Sequence, residues 1–321
     1  MTNNQFQVIT GVYPTMITPY KNGAVDYAAV EKLVEWYWKQ GCDGVFTACL
    51  SGEILWLTLE ERVRLVHTVV QTAKRLAETD KSRKPMMIVA SGHISDTFDG
   101  QVEELNAIAN EKPDALILIS NRMDIACESD EKWIEDATRL VERLPADMPL
   151  GLYESPLPFK RVLSEKIIRW CGETGRFYFI KDTCGNYNLI ANRLKWCNGT
   201  KLKLFNANAQ TLLDTLHIGA AGYCGVMANY HPALYSWMCK NYEQESEKAS
   251  LLQSFLTLST KMESEEMCYP ISAKCYLNQA VGLSMDLRAR SVACTDFNDY
   301  QKQCVDQFAK LTAYVERQLE F

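Results

Sequence analysis

Short apolar runs recur along the chain, and each is followed by a stretch whose apolar residues fall at helical spacing. The runs cover 12–17, 44–50, 85–90, 115–120, 150–153, 177–181, 202–206 and 222–227. They return roughly every 30 residues, the length of one strand–helix–strand step. Each run is almost continuously apolar and does not alternate. Strands covered by helices on both faces read this way, so the pattern predicts a parallel sheet. The intervening stretches predict helices over 26–40, 58–77, 99–111, 129–144, 164–171, 187–197, 210–217 and 232–242. Asp26 is a suitable N-cap. Thr58-Leu59-Glu60-Glu61 is a capping box, in which threonine accepts from an orphan N–H and Glu61 reaches back. Eight strands alternating with eight helices give an α/β chain of the (β/α)8 TIM barrel type. A doubly wound sheet competes, but no Gly-x-Gly-x-x-Gly follows a strand. Beyond Tyr242 the pattern is helical only, over 244–262, 269–281 and 297–320. No Gly/Ser-rich or Pro-rich linker intervenes. The expected organisation is therefore a barrel over 1–242 and a C-terminal helical extension over 243–321, packed on it.

Composition narrows the function classes. With 47% apolar and 23% charged residues in 321, the chain buries a core and is not disordered. A net charge of −6 and a pI near 5.4 announce no nucleic-acid face, which needs clustered Lys and Arg. The apolar runs fall well short of the roughly 20 residues of a membrane helix. The opening Met1-Thr2-Asn3-Asn4-Gln5-Phe6 is polar and reads as no signal peptide, so a cytoplasmic protein is expected. None of the twelve cysteines forms a Cys-x-x-Cys pair. Reduced, mostly buried thiols are expected. No His/Asp/Glu cluster has metal-ligand spacing, so no metal is expected. The aromatic trio Trp36-Tyr37-Trp38 is expected to pack between outer helices. Among the histidines, His93 and His231 fall near strand ends and are weighed as substrate contacts; His67 and His217 fall within helices and read as structural.

In barrels of this kind the chemistry sits at the C-terminal ends of the strands. The second run ends in Ser51-Gly52-Glu53, the fifth in Tyr153-Glu154-Ser155-Pro156 and the sixth in Ile180-Lys181-Asp182-Thr183. Lys181 is the most informative, because lysine is rarely buried without a partner or a task. A desolvated amine loses proton affinity and can attack a ketone to form a Schiff base. An inward salt bridge to Asp182 or Glu53 accounts for its position equally well. Tyr153 fits either a proton shuttle or a hydrogen-bonded core tyrosine. Ser51-Gly52 offers a hydroxyl and an open backbone N–H, a setting that suits a carboxylate.

At these residues the chain resembles the dihydrodipicolinate synthase / N-acetylneuraminate lyase family of Schiff-base barrels, over roughly residues 8 to 285. The resemblance rests on an ordered set of motifs: Pro14-Thr15-Met16-Ile17-Thr18-Pro19-Tyr20, Ser51-Gly52-Glu53 with Leu57-Thr58-Leu59-Glu60-Glu61-Arg62, and Tyr153-x-x-Pro156. Ile180-Lys181-Asp182-Thr183 and Gly219-Ala220-Ala221-Gly222, with Asn229 and Pro232, complete it. It implies Lys181 as the Schiff-base lysine and Tyr153 as the proton shuttle. It places Ser51 and the Gly52 amide on the carboxylate of a 2-oxo acid, Thr183 beside the lysine, and the backbone around Cys224 on the pocket floor. It also implies a class I lyase or aldolase without cofactor, a small 2-oxo acid as partner, and a homotetramer.

The departures concern the second substrate. Where dihydrodipicolinate synthases carry two hydroxyl residues before the Gly-Glu of strand two, the first is Leu50. Where they carry a tyrosine after strand four, this chain aligns Met123. Where they place an arginine for a far carboxylate, it has Pro158, with Lys160 and Arg161 nearby. Where sialate lyases use glycine, aspartate and glutamate after strand seven, it has Ala207, Ala209 and Gln210. The expected reaction is therefore imine chemistry on pyruvate or a pyruvate-derived sugar acid, with a partner other than that of dihydrodipicolinate synthase and a pocket shaped by Leu50, Pro158 and Ala209. The alternative is a non-catalytic member that binds a 2-oxo acid as a sensor or structural protein.

Overall fold

The computed structural model describes residues 6–291 and 297–319. Its strands are β1 (Gly11–Val12), β2 (Tyr20–Lys21), β3 (Ala24–Val25), β4 (Gly44–Thr47), β5 (Met87–Ala90), β6 (Ala115–Ile119), β7 (Leu150–Tyr153), β8 (Phe177–Asp182), β9 (Lys203–Asn206) and β10 (Gly222–Tyr223). The helices are α1 (Tyr27–Lys39), α2 (Leu59–Thr79), α3 (Phe98–Asn110), α4 (Asp130–Val141), α5 (Glu165–Thr174), α6 (Tyr187–Cys197), α7 (Leu212–His217) and α8 (Pro232–Asn241), followed by α9 (Ser246–Ser259), α10 (Ile271–Ala280) and α11 (Asp299–Gln318). Strands β2 and β3 form a separate antiparallel hairpin. The others pair in parallel in the order β1-β10-β9-β8-β7-β6-β5-β4. The two ends of that row close on each other. The Met16 N–H donates to the Phe46 carbonyl at 3.0 Å, and the Phe46 N–H to that of Pro14 at 2.9 Å. The architecture is a (β/α)8 TIM barrel with a helical C-terminal extension.

Three strands fall short of their apolar runs by three residues or more, each for a local reason. In the first, Pro14 has no N–H for a ladder, and regular pairing is confined to Gly11–Val12 with a further bridge at Thr15. The second ends at Thr47, because Ala48 takes a φ of 49° and the chain winds into a tight turn at Leu50–Gly52. The eighth is reduced to Gly222–Tyr223 by a similar turn at Val226–Asn229. The β2–β3 hairpin lies outside the predicted elements. Its turn is Asn22-Gly23, both at positive φ, a pair suited to two-residue hairpins. The capping box at Thr58 forms as expected, with Glu61 N–H on Thr58 Oγ1 at 3.2 Å and Thr58 N–H on Glu61 Oε2 at 3.0 Å.

Two apolar layers result. Inside the barrel Phe179 and Phe205 stack with centroids 4.4 Å apart, and Tyr13 meets both rings edge-on. Gly44 makes room for this: a Cβ there would lie 2.1 Å from the Tyr13 ring. Between strands and helices lies the larger layer, which includes Val30, Leu33, Leu65, Val69, Trp133 and Ile180. Tyr37 and Trp38 are buried in it with Trp36 packed alongside, as expected. Among the described residues ten cysteines are free. Cys268 is disulfide-bonded, which corrects the expectation of reduced thiols throughout. Among the described residues no helix is long and apolar enough to cross a membrane.

The extension is joined to the barrel mouth by charge as well as packing. Lys274 on α10 pairs with Glu53 at 3.2 Å, both buried. Glu53 also accepts the Ser291 N–H at 2.9 Å, and Arg290 pairs with Glu61 on α2 at 2.7 Å. The turn after β4 is thereby held from the far end of the chain.

Candidate active site

Strand alternation sends Phe179 and Lys181 of β8 into the barrel and Ile180 and Asp182 outward. Lys181 is 4% exposed, at the floor of a cavity of about 510 Å³ at the C-terminal end of the strands. Its Nζ lies 4.2 Å from the centroid of the Tyr153 ring and 5.6 Å from that of Phe46. Asp182 pairs instead with Arg193, and Glu53 with Lys274. Among the described residues no carboxylate forms an ion pair with Lys181, so the salt-bridge account of this lysine does not hold.

Burial is the largest influence on the Lys181 ammonium and lowers its pKa; charge on Tyr153, Cys224 and Cys49 raises it, and the net shift is upward. Those three partners act only when ionised. Burial raises the pKa of each, Cys224 to about 12. Near neutrality they are uncharged, so desolvation, the largest influence, is left opposed by the hydrogen bond with Tyr153, and it favours the neutral amine. A neutral amine at the base of such a cavity is a nucleophile for a carbonyl.

Tyr153, at the end of β7, is buried, and its ring meets Phe46 edge-on at 5.4 Å. Its register partner across the β7–β8 pair is Lys181. Ser51 lines the cavity, with its hydroxyl 3.1 Å from that of Thr15. The Gly52 N–H is given to the Cys49 carbonyl at 3.0 Å, and Gly52 is packed where a Cβ would lie 2.9 Å from the Met16 carbonyl oxygen. Thr183 lines the cavity and is clamped to β7: its hydroxyl donates to the Glu154 carbonyl at 2.8 Å and its N–H to Glu154 Oε2 at 3.0 Å. Ala207 lines the wall after β9. Cys224 is buried behind the lysine and is not among the lining residues.

A buried ion network fixes this end of the sheet. Arg193 on α6 reaches both Glu154 and Asp182, and all three side chains are fully buried. Its Nη2 also donates to the Leu163 carbonyl at 2.8 Å, while Glu154 accepts the Leu163 N–H at 2.7 Å and Asp182 the Cys184 N–H at 2.8 Å. The ends of β7 and β8, which carry Tyr153 and Lys181, are therefore held in register by one guanidinium.

The far half of the cavity differs from expectation. Leu50 lines it, whereas Pro158 and Ala209 do not; Pro156, Leu157, Lys160 and Asn208 take those places. Lys160 donates through Nζ to the Thr183 carbonyl. Arg161 is turned away, paired with Asp124 and Asp130, each at 3.2 Å. Met123 lines a separate hollow with Arg122 and Asp96. Sequence reasoning missed Glu263, Glu265, Tyr269 and Ser291, which the extension contributes to the wall. No local motif marks them, and 263–266 reads as a solvated acidic stretch.

The histidines lie outside the cavity lining. His93 accepts the Ile119 N–H at 2.7 Å, its other nitrogen meets Gln101 at 3.2 Å, and burial pushes its pKa down to about 4. His231 is packed among Tyr235, Phe255 and Phe308 and is pushed down to about 3 by burial. Among the described residues no group of three His, Cys, Asp or Glu side chains is placed to hold a metal ion.

Comparison with known proteins agrees with this geometry. The model of the dihydrodipicolinate synthetase family matches residues 8–78 and 144–309. A 4-hydroxy-tetrahydrodipicolinate synthase of Nitratidesulfovibrio vulgaris (strain DP4) is 25% identical over 240 residues, covering 73% of this chain and 75% of that one. One from Parvibaculum lavamentivorans is 27% identical over 230 residues, covering 70% and 72%. Among solved structures, dihydrodipicolinate synthase from Aquifex aeolicus superposes with a TM-score of 0.79 at 17% identity, covering 95% of this chain and 98% of that one. A prophage protein of the same family from E. coli K12, solved in complex with pyruvate, gives 0.81 at 16% identity with the same coverage. With its motifs in order, its barrel closed and its lysine at the foot of the mouth cavity, the chain belongs to the dihydrodipicolinate synthetase family.

Proposed function

We propose that this chain is a class I lyase or aldolase that acts on a 2-oxo acid through an imine between the substrate carbonyl and Lys181 Nζ. The observation that carries this reading is the burial of Lys181 at the cavity floor with no ion-paired carboxylate among the described residues. The neutral amine adds to C2, the carbonyl oxygen leaves as water, and the resulting iminium withdraws electrons from the adjoining bond. That electron sink replaces a cofactor. Ser51 holds the substrate carboxylate, with Gly52 supplying the close backbone of the same turn. Thr183 and Ala207 form the walls on either side, and Cys224 backs the lysine. Tyr153 is a neutral phenol, so its part is to donate a proton to the departing oxygen. A homotetramer is the assembly that kinship with this family implies.

Borohydride reduction in the presence of pyruvate tests the reading. A stable protein–pyruvate adduct by mass spectrometry is expected. Failure to form one with any of a panel of 2-oxo acids contradicts it and favours a binding protein, a reading to which Leu50 and Met123, standing in for relay hydroxyls, give some support. Tyr153→Phe is expected to lower turnover by roughly 10²–10⁴-fold, the usual weight of a positioned proton donor, while still trapping pyruvate more slowly. Unchanged turnover would leave the phenol a purely structural role.

The second substrate is proposed to differ from that of dihydrodipicolinate synthase, an aldehyde carrying its own carboxylate. A desolvated carboxylate is best held by the arginine fork. Pro158 has no donor, and Arg161 is committed to Asp124 and Asp130. Lys160 offers a single ammonium, while Glu263 and Glu265 place carboxyl groups in the same cavity. In a coupled assay with pyruvate and aspartate semialdehyde, turnover is expected to stay far below the roughly 1–10³ s⁻¹ of ordinary enzymes. A rate of about 1 s⁻¹ or more would refute the exclusion.

A further inference from the structure

Glu263 is one of the two carboxyl groups of the cavity that motif reasoning did not reach. It closes the 3-10 turn Thr260–Glu263 after α9, on the extension, and its side chain forms part of the same cavity wall as Tyr153 and Lys181. We propose that Glu263 is the base that takes the C3 proton when the Lys181 imine becomes an enamine, and the acid that returns it. The inference rests on the imine reading above.

The step balances within the cavity. The C3–H bond breaks and its electron pair forms the C2=C3 double bond. The C=N pair moves onto nitrogen and neutralises the iminium, and the proton goes to the Glu263 carboxylate. In the reverse direction the protonated carboxyl returns the proton to C3, and free pyruvate follows by hydrolysis. No outside oxidant or reductant is needed. The extension brings Glu263 into the wall of the same cavity that Ser51 and Lys181 line, where the imine carbon and its C3 neighbour would lie.

The surroundings assign the proton to this residue. Burial lifts the Glu263 carboxyl to about 7, against the opposing pull of Lys181. It therefore exchanges protons in the neutral range, which suits a group that must both take and give one. Tyr153 and Tyr269, the phenols of the cavity, have pKa values raised by burial and are protonated at rest, so neither is a resting base. Behind Glu263 the phenols of Tyr223, Tyr230 and Tyr235 couple to its charge, and burial keeps each of them neutral as well. The other titratable groups lining the cavity are the amines of Lys181 and Lys160 and the carboxyl of Glu265. Once Lys181 is an imine, the iminium keeps a positive charge that attracts the Glu263 carboxylate. Its loss in the enamine favours the protonated acid, so the charge on nitrogen and the proton on Glu263 move together.

Hydrogen–deuterium exchange at the pyruvate methyl group needs pyruvate alone and reads this step by proton NMR in D2O. Exchange by the wild type is expected to rise with pH through an inflection near 7, because the base form acts. Glu263→Gln keeps the shape and loses the base. It is expected to trap pyruvate with borohydride as the wild type does, to exchange roughly 10²–10⁴-fold more slowly, and to lose the inflection. Glu263→Asp is expected to recover part of the rate with an inflection restored. Wild-type exchange in Glu263→Gln, or an inflection that survives in it, overturns the proposal and leaves the imine intact. Absence of an adduct in the wild type overturns the imine reading and this inference with it.

Discussion

Lys181→Ala abolishes turnover and leaves the barrel folded. The imine cannot form without the amine, and the described residues of the cavity offer no second buried, unpaired lysine to replace it. Lys160 is the other ammonium of the cavity, and it lies at the rim on the Thr183 carbonyl. The structural cost is small for two reasons. The lysine lies at a cavity floor, so truncation enlarges an existing space and opens no separate void in the packed core. Among the described residues it has no ion-pair partner, so its removal strands no ion-paired buried carboxylate, the usual source of large losses. Stability is expected to change by about 1 kcal/mol or less, within the range of substitutions that break no network. Steady-state assays with the natural or any accepted 2-oxo acid, together with urea unfolding of the same preparation, check both halves. Turnover retained in a folded Lys181→Ala protein sinks the mechanism.

Arg193→Met should be the most damaging single change to stability near the site. It matches the arginine stem in size but removes the one guanidinium that faces both Glu154 and Asp182, each fully buried. Removing one partner of a buried ion cluster typically costs about 3–5 kcal/mol, because the remaining charges must be protonated or rehydrated. The Leu163 carbonyl loses a donor as well. The damage should extend to catalysis, since Glu154 and Asp182 follow Tyr153 and Lys181 directly in the chain. A fall in urea midpoint at unchanged slope reads the loss. A change below about 1 kcal/mol would mean that the two carboxylates find other partners and that the network does not hold the strand ends.

The barrel was readable because its cause is local. Each buried parallel strand is a continuous apolar run, and helices α1 to α6 each carry a side-chain N-cap, as at Thr58. The strand ends blurred where the backbone departs from the ladder without a change in hydrophobicity, at Ala48 and in Val226–Asn229. Lys181 and Tyr153 were legible for a similar reason: each is a polar residue at the end of an apolar run. The rival account, a bridge from Lys181 to Asp182, fails on strand alternation, which sends adjacent side chains to opposite faces. Asp182 instead needed a cation from outside the barrel, and Arg193 on α6 supplies it. The partner of Glu53 is Lys274, 221 residues away, and no spacing rule connects them. Glu263, Glu265 and Tyr269 are set in the wall by packing of the extension over the mouth. An acidic stretch after a helix carries no sign of that placement, and the wall they form is where the second substrate must be distinguished.

The central claim is that one particular lysine forms the imine, and a site-mapped trapping experiment tests it most directly. The protein is reduced with borohydride in the presence of pyruvate, digested, and each lysine-bearing peptide is weighed. Two other lysines offer a fair contest. Lys160 shares the cavity, and Lys274 is buried with its pKa lowered to about 8 by desolvation, partly offset by Glu53. The account predicts a single modified residue, Lys181, and no adduct in Lys181→Ala. An adduct on Lys160 or Lys274, or one that persists in Lys181→Ala, would contradict it.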